Sequence, residues 1–85
     1  MENKINSQTE LYKRLMPALR TKKHELIAAG IKIVTEKDIW NYNKENKWRN
    51  GKGLTIASMV DDVLNTDNNI YQDYVIKKLN IKDDE

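Results

Sequence analysis

Three groups of residues in this chain have types that could do chemistry, and two of them lack the spacing for it. His24 is the single imidazole and there is no cysteine, so no thiol nucleophile, catalytic triad, disulfide or zinc-type ligand set can be assembled. On a helix His24 projects with Lys13 and Arg20, a cationic neighbourhood that disfavours a proton-carrying role. Asp61 and Asp62 are adjacent carboxylates, but consecutive helical positions diverge by about 100° and cannot share a cation or work as an acid/base pair. The loop Asn50-Gly51-Lys52-Gly53 has no Gly-Lys-Ser/Thr step opening a helix, so it is not a phosphate-cradling loop. The third group is suited to binding: Lys44, Lys47, Trp48, Arg49 and Lys52, with Lys13 and Arg20 as outlying cations. Such cations neutralise phosphates while an indole can stack on an unpaired base, which suits single-stranded RNA better than a duplex groove. No catalytic residue, metal ligand or cofactor site is expected, and the chain reads as a non-enzyme.

Charge divides the molecule. Residues 1–53 carry 12 Lys and Arg against 6 Asp and Glu, whereas residues 54–85 carry 3 against 7. The basic half can face phosphate, an acidic protein surface, or the acidic half of its own fold or of a second copy. A helix-turn-helix reading that pairs the second and third helices meets an obstacle. No Lys or Arg lies between Lys52 and Lys77, so the recognition helix would bring Asp61 and Asp62 to the DNA backbone with nothing to offset them.

The elements that must position these residues are helical. Eighty-five residues make one small domain with a thin core. Residues 1–8 read as a flexible lead-in, 9–80 as a single helical domain and 81–85 as an acidic tail. Ser7 or Thr9 can cap a first helix that buries Leu11, Tyr12, Leu15, Leu19 and Leu26 and stops at Gly30. Pro17 predicts a kink or break in it. Ile31-Lys32-Ile33-Val34 is a very short strand or an extended connector. Thr35 caps a second helix over 36–47, with Asp38 reaching back to the cap and Val34 and Ile39 at the flanking staple positions. Trp40, Lys44 and Trp48 then share one side, with Trp40 in the core and Trp48 either in the core or on the surface. A third helix over 55–64 buries Ile56, Met59, Val60, Val63 and Leu64, and a fourth over 69–79 spreads Ile70, Tyr71, Tyr74, Val75 and Leu79 over half its circumference. The fold class is all-α, a bundle of three to four helices. The wide apolar arc of the last helix makes Tyr71, Val75 and Leu79 a candidate protein-partner patch and a homodimer plausible. No apolar run reaches the length of a signal peptide or a membrane span, which predicts a cytoplasmic protein without membrane insertion.

The order of motifs is that of a known family. Leu11-Tyr12-Lys13, Met16-Pro17-Ala18-Leu19, Lys22 or Lys23, Glu25-Leu26, Gly30, Val34-Thr35, Asp38-Ile39-Trp40, Lys47-Trp48 and Met59-Val60-Asp61-Asp62-Val63-Leu64, with Tyr71 and Tyr74 beyond, resemble the ComN-type post-transcriptional regulators of low-GC Gram-positive bacteria. The resemblance covers about residues 11 to 79. It implies a small cytosolic, non-enzymatic regulator acting on competence-gene messages, placed at cell poles or the division septum through a scaffold protein. No catalytic residue or cofactor comes with it. Asn43 departs from the pattern by standing where an apolar residue would extend the second helix's stripe, and the linker to the third helix is compact. The expected function is therefore a protein-binding adaptor close to mRNA. The alternatives are a direct single-stranded RNA module using the loop 44–52, and a helix-turn-helix DNA-binding domain.

Overall fold

Leu15, Leu19 and Leu26, spaced by four and seven residues, fall on one helical face, and all three are fully buried on α1, which runs from Glu2 to Ala28. The computed structural model describes residues 2–49 and 53–84, with side chains within 9–49 and 53–79. Among the described residues there are four helices and no strand: α1, α2 over Glu36–Asn46, α3 over Ile56–Asn65 and α4 over Asn68–Asp84. The first helix starts ahead of the expected caps at Ser7 and Thr9, and the last continues beyond Leu79.

The break expected near Pro17 does not form, because α1 is one helix with Pro17 inside it. Proline removes one amide donor, here the one that would reach the carbonyl of Lys13. Pro17 is exposed, so that loss falls on the side where water can replace it. Thr21 also donates its hydroxyl to the Pro17 carbonyl at 2.9 Å on this outer face. Ala18 and Leu19 remain seated in the core beside it.

The end of α1 is set by a glycine. Gly30 adopts φ +89, a left-handed conformation that costs a residue without Cβ little. Its amide donates to the Ile27 carbonyl at 2.9 Å and the Ile31 amide to the Leu26 carbonyl at 2.8 Å, the paired bonds of a Schellman stop. Ile31 and Leu26 are both buried, closing the apolar contact that accompanies this motif. Residues 31–34 form no strand but a connector with a bend at Ile33, which buries Ile31 and Val34 and leaves Ile33 exposed.

Both central helices begin in capping boxes. Thr35 accepts from the Asp38 amide at 3.2 Å while Asp38 accepts from the Thr35 amide at 2.9 Å, and Thr55 and Ser58 do the same for α3. Val34 and Ile39, on either side of the first cap, are fully buried. Glu36, in the first turn of α2, has its carboxyl held below the ordinary range by a backbone hydrogen bond at the helix start and by Lys23, 3.4 Å away.

In packing, α1 lies against both α2 and α3, and α2 also touches α3 and α4. The assembly measures 41 × 32 × 18 Å, so it is barely two helices thick, and large aromatics fill what core there is. Trp40 is central. Its ring takes Tyr12 edge-on at 5.2 Å and Trp48 at 5.7 Å, while Tyr42 joins Tyr71 and Tyr74 at 5.4 and 5.5 Å. Replacing Trp40 by Ala is expected to cost about 3 kcal/mol or more, because the cavity opens in a core with few other residues to close it. Thermal or denaturant unfolding checks this, and a variant melting within a degree or two of the parent would contradict the central role given to the ring.

Candidate functional site

The carbonyl of Asn43 accepts the amides of both Lys47 and Trp48 at 2.8 Å, and this double bond closes α2 and turns the chain so that the Trp48 ring comes back onto Trp40. The indole nitrogen of Trp48 donates to the Asp62 carboxylate on α3 at 2.8 Å. The ring is 7% exposed. Of the two placements the sequence allowed for Trp48, the fold takes the interior one, and the ring is withdrawn from the role of an open stacking platform. Part of the acidic half thus serves to hold the basic half of the same chain.

Around Trp48 the basic residues separate. Lys44 and Arg49 flank a groove of about 560 Å³ whose other walls are Leu11, Trp40, Trp48, Leu54, Thr55, Ile56 and Met59. The ammonium of Lys44 lies over the Trp40 ring at 5.7 Å. Lys47 is exposed as the cap of α2 and does not line the groove. Lys52 lies outside the described residues. Lys13 and Arg20 are exposed on α1 and line neither this groove nor the shallower one formed by Thr9, Tyr12, Lys37, Trp40, Asn41 and Lys44. Arg20 acts instead on Glu36 at the start of α2, a helix length of ~16 Å from Lys47. Of the six described residues of this group, the groove thus brings together Lys44, Trp48 and Arg49 and leaves out Lys13, Arg20 and Lys47.

The proposed partner patch on α4 changes more. Tyr71 and Val75 are buried against the rest of the bundle, and only Leu79, at 49% exposure, faces outward. An apolar arc wider than one neighbour covers predicted a free face, but α4 turns Tyr71 and Val75 inward and leaves Ile70, Ile76 and Leu79 as the exposed large apolar residues among its described side chains.

Tyr71 is buried because it completes a polar network that sequence reasoning did not place. Its hydroxyl donates to the Val63 carbonyl at 3.0 Å and accepts from the Asn43 side-chain amide at 3.0 Å. Asn43 also donates to the Ile39 carbonyl at 2.9 Å, so the residue that departs from the apolar stripe is a fully buried bridge between α2 and α4. Lys22, only 2% exposed, donates to the Leu64 carbonyl at 3.0 Å and to Glu25 at 3.1 Å, and Thr66 donates to the Asp62 carbonyl at 2.6 Å. Three successive carbonyls at the end of α3 are thus met by Thr66, Tyr71 and Lys22. The signal for Lys22 was available, since positions 15, 19, 22 and 26 repeat at four, three and four residues on the buried face of α1. Among the described residues no group of three or more His, Cys, Asp or Glu side chains could hold a metal ion.

A family model described as post-transcriptional regulator matches residues 8–83, a span that reaches into all four helices. This chain belongs to the post-transcriptional regulator family. No curated protein and no solved structure is similar enough to this family member to count as a match. Within the regulator's described residues, no helix is long and apolar enough to cross a membrane.

Two outcomes follow from these contacts. Asp62→Ala is expected to cost about 2 kcal/mol by leaving the Trp48 indole nitrogen without its charged acceptor. Denaturant titration measures the loss, and the Trp48 indole proton resonance should move with it while that of Trp40 moves less. Burial pushes the Tyr71 phenol above its ordinary value of 10.0, against hydrogen bonds from Asn43 and Thr66, and burial pushes Tyr74 the same way. Each phenol keeps its proton in the folded state at a pH where the unfolded chain has lost it. Their stabilisation is therefore complete below about pH 10 and is lost as pH rises through the higher folded values. Tyr71→Phe should cost about 2 kcal/mol at neutral pH, by unpairing Asn43 and the Val63 carbonyl, and should flatten part of the alkaline decline. A tyrosinate absorbance titration with parallel unfolding curves checks both effects.

Proposed function

We propose that this regulator is a non-enzymatic, protein-binding adaptor that works beside mRNA, in the manner of the ComN-type proteins its motifs resemble. The observation that carries this reading is the seating of Trp48. With its ring packed on Trp40 and its nitrogen bound to Asp62, the aromatic between Lys47 and Arg49 keeps only a small part of its surface open, where it lines the groove, and offers a base little to stack on. Stacking supplies much of the affinity of single-stranded RNA modules, and without it a few cations give only weak, salt-sensitive contact. The same packing leaves an apolar groove beside the ring, which suits side chains of a protein better than a phosphate backbone. Competence-gene messages and a scaffold at the poles or division septum are the partners that the ComN-type resemblance brings with it.

Direct contact with RNA is the second reading, favoured by the exposure of Lys47 and Arg49 on either side of Trp48. Helix-turn-helix binding to DNA is less well supported, since Asp61 is exposed on α3 and Asp62 is committed to Trp48. Capture from a lysate of a host cell, with and without RNase, separates the first two. A protein partner retained after RNase treatment is expected. Loss of all retained material on RNase treatment, together with oligonucleotide binding that weakens steeply with salt, would replace the adaptor by the RNA module.

A further inference from the structure

The groove between α1, α2 and α3 has an apolar floor and a cationic edge, and this combination specifies its occupant more closely than an adaptor role does. We infer that it is a docking site for a short apolar protein segment that carries carboxylates beside its anchoring side chains. The inference rests on the adaptor reading and names the chemistry of the partner.

Leu11, Leu54, Ile56 and Met59 come from three separate stretches of chain, with Trp40 and Trp48 between them, to build the floor. Its volume of about 560 Å³ holds two or three side chains rather than a whole domain surface. One edge is Arg49, which is exposed and enters no ion pair among the described residues. Lys44, over the Trp40 ring, adds a second positive charge to the lining. The start of α3 also borders the groove, through Thr55 and Ile56. That helix has no acidic residue in its first turn, whereas α2 carries Glu36 and Asp38 in its own, so the positive end of the α3 dipole is not offset from within the helix. Asp62, the carboxylate bonded to a groove residue, is turned to the Trp48 nitrogen and is not among the lining residues. Among the described residues, the charged side chains lining the apolar groove are thus both positive, and the α3 start adds to the same sign. A basic segment is repelled there, an uncharged one gains only the floor, and a segment with an Asp or Glu flanking its apolar anchors meets both. Arg49 can take such a carboxylate with two parallel hydrogen bonds, which Lys44 cannot.

A random peptide display selected on the full chain tests this, followed by titration of the best synthetic peptide into isotope-labelled protein. The chain has two tryptophans, so the indole region of the spectrum reports on the groove with two resolved signals. Enrichment of apolar residues next to Asp or Glu is expected, with the Trp48 indole signal and the amides of residues 54–59 moving most. Arg49→Glu should weaken the peptide about tenfold and Arg49→Lys less, since the lysine keeps the charge and loses the paired hydrogen bonds. Selected peptides without acidic bias, no enrichment at all, or shifts confined to α4 would each overturn the assignment. So would equal shifts produced by oligouridylate, or by raising the protein concentration alone, which would make the occupant RNA or a second copy. An RNase-resistant partner that the Arg49→Glu variant retains undiminished leaves the adaptor standing and removes the groove from it. Groove binding of acidic peptides with no RNase-resistant partner in the cell leaves the groove chemistry standing and removes the adaptor.

Discussion

The end of α3 is the constraint on which this small fold depends. Any helix leaves its last four carbonyls without partners inside the helix, and three of those of α3 are answered by side chains of the fold rather than left to water alone. The carbonyls of Asp62, Val63 and Leu64 are met one by one by the hydroxyl of Thr66, the phenol of Tyr71 and the ammonium of Lys22. These three donors come from the connector, from α4 and from α1. Satisfying one helix end therefore fixes the position of two other helices, and Asn43 ties α2 to the same point through the Tyr71 hydroxyl.

Burying an ammonium is costly unless its charge is answered, and Lys22 answers it in three ways. It reaches the negative end of the α3 dipole, pairs with Glu25 and lies 5.9 Å from the centre of the Tyr71 ring. An apolar residue at this position would fill the space and leave the Leu64 carbonyl unpaired. The network has no outlet to the surface groove and reads as structural. Its contribution to the candidate site is indirect: by fixing α3 against α1 and α2, it sets where Asp62 meets Trp48 and where Ile56 and Met59 form the groove floor.

The charge division has the same double use. Part of it is used internally, where Asp62 of the acidic half holds the Trp48 indole of the basic half, while the ion pairs Lys23–Glu36 and Lys78–Glu45 do not join a cation of the first half to an acid of the second. Exposed cations lie along the first half of the chain, and two of them, Lys47 and Arg49, stand where the chain leaves α2, with Arg49 lining the apolar groove. Cations beside an apolar recess favour a partner that is itself mixed, and this separates the surface from a pure phosphate-binding one.

The sequence by itself determined most of the local structure. The Thr35 and Thr55 starts, the Gly30 stop, the leucine face of α1 and the inner face of α3 are written in short-range spacing, because caps, stops and helical periodicity depend on residues three or four apart. The family was legible for a similar reason, as an ordered series of such local motifs. Which of the apolar and aromatic residues end up inside was decided only by the tertiary structure. Trp48, Tyr71 and Val75 each had enough apolar surface to serve as core or as contact, and spacing along one helix does not say which neighbour arrives to cover it. Pro17 stays inside α1, on the exposed side away from the leucines, where the Lys13 carbonyl that loses its donor can turn to water. Lys22 and Asn43 stood in apolar stripes as polar exceptions, and their meaning depended on partners 42 and 28 residues away, the Leu64 carbonyl and the Tyr71 hydroxyl. Long-range hydrogen bonds of this kind leave no periodic trace in the chain, so only the assembled fold could show them.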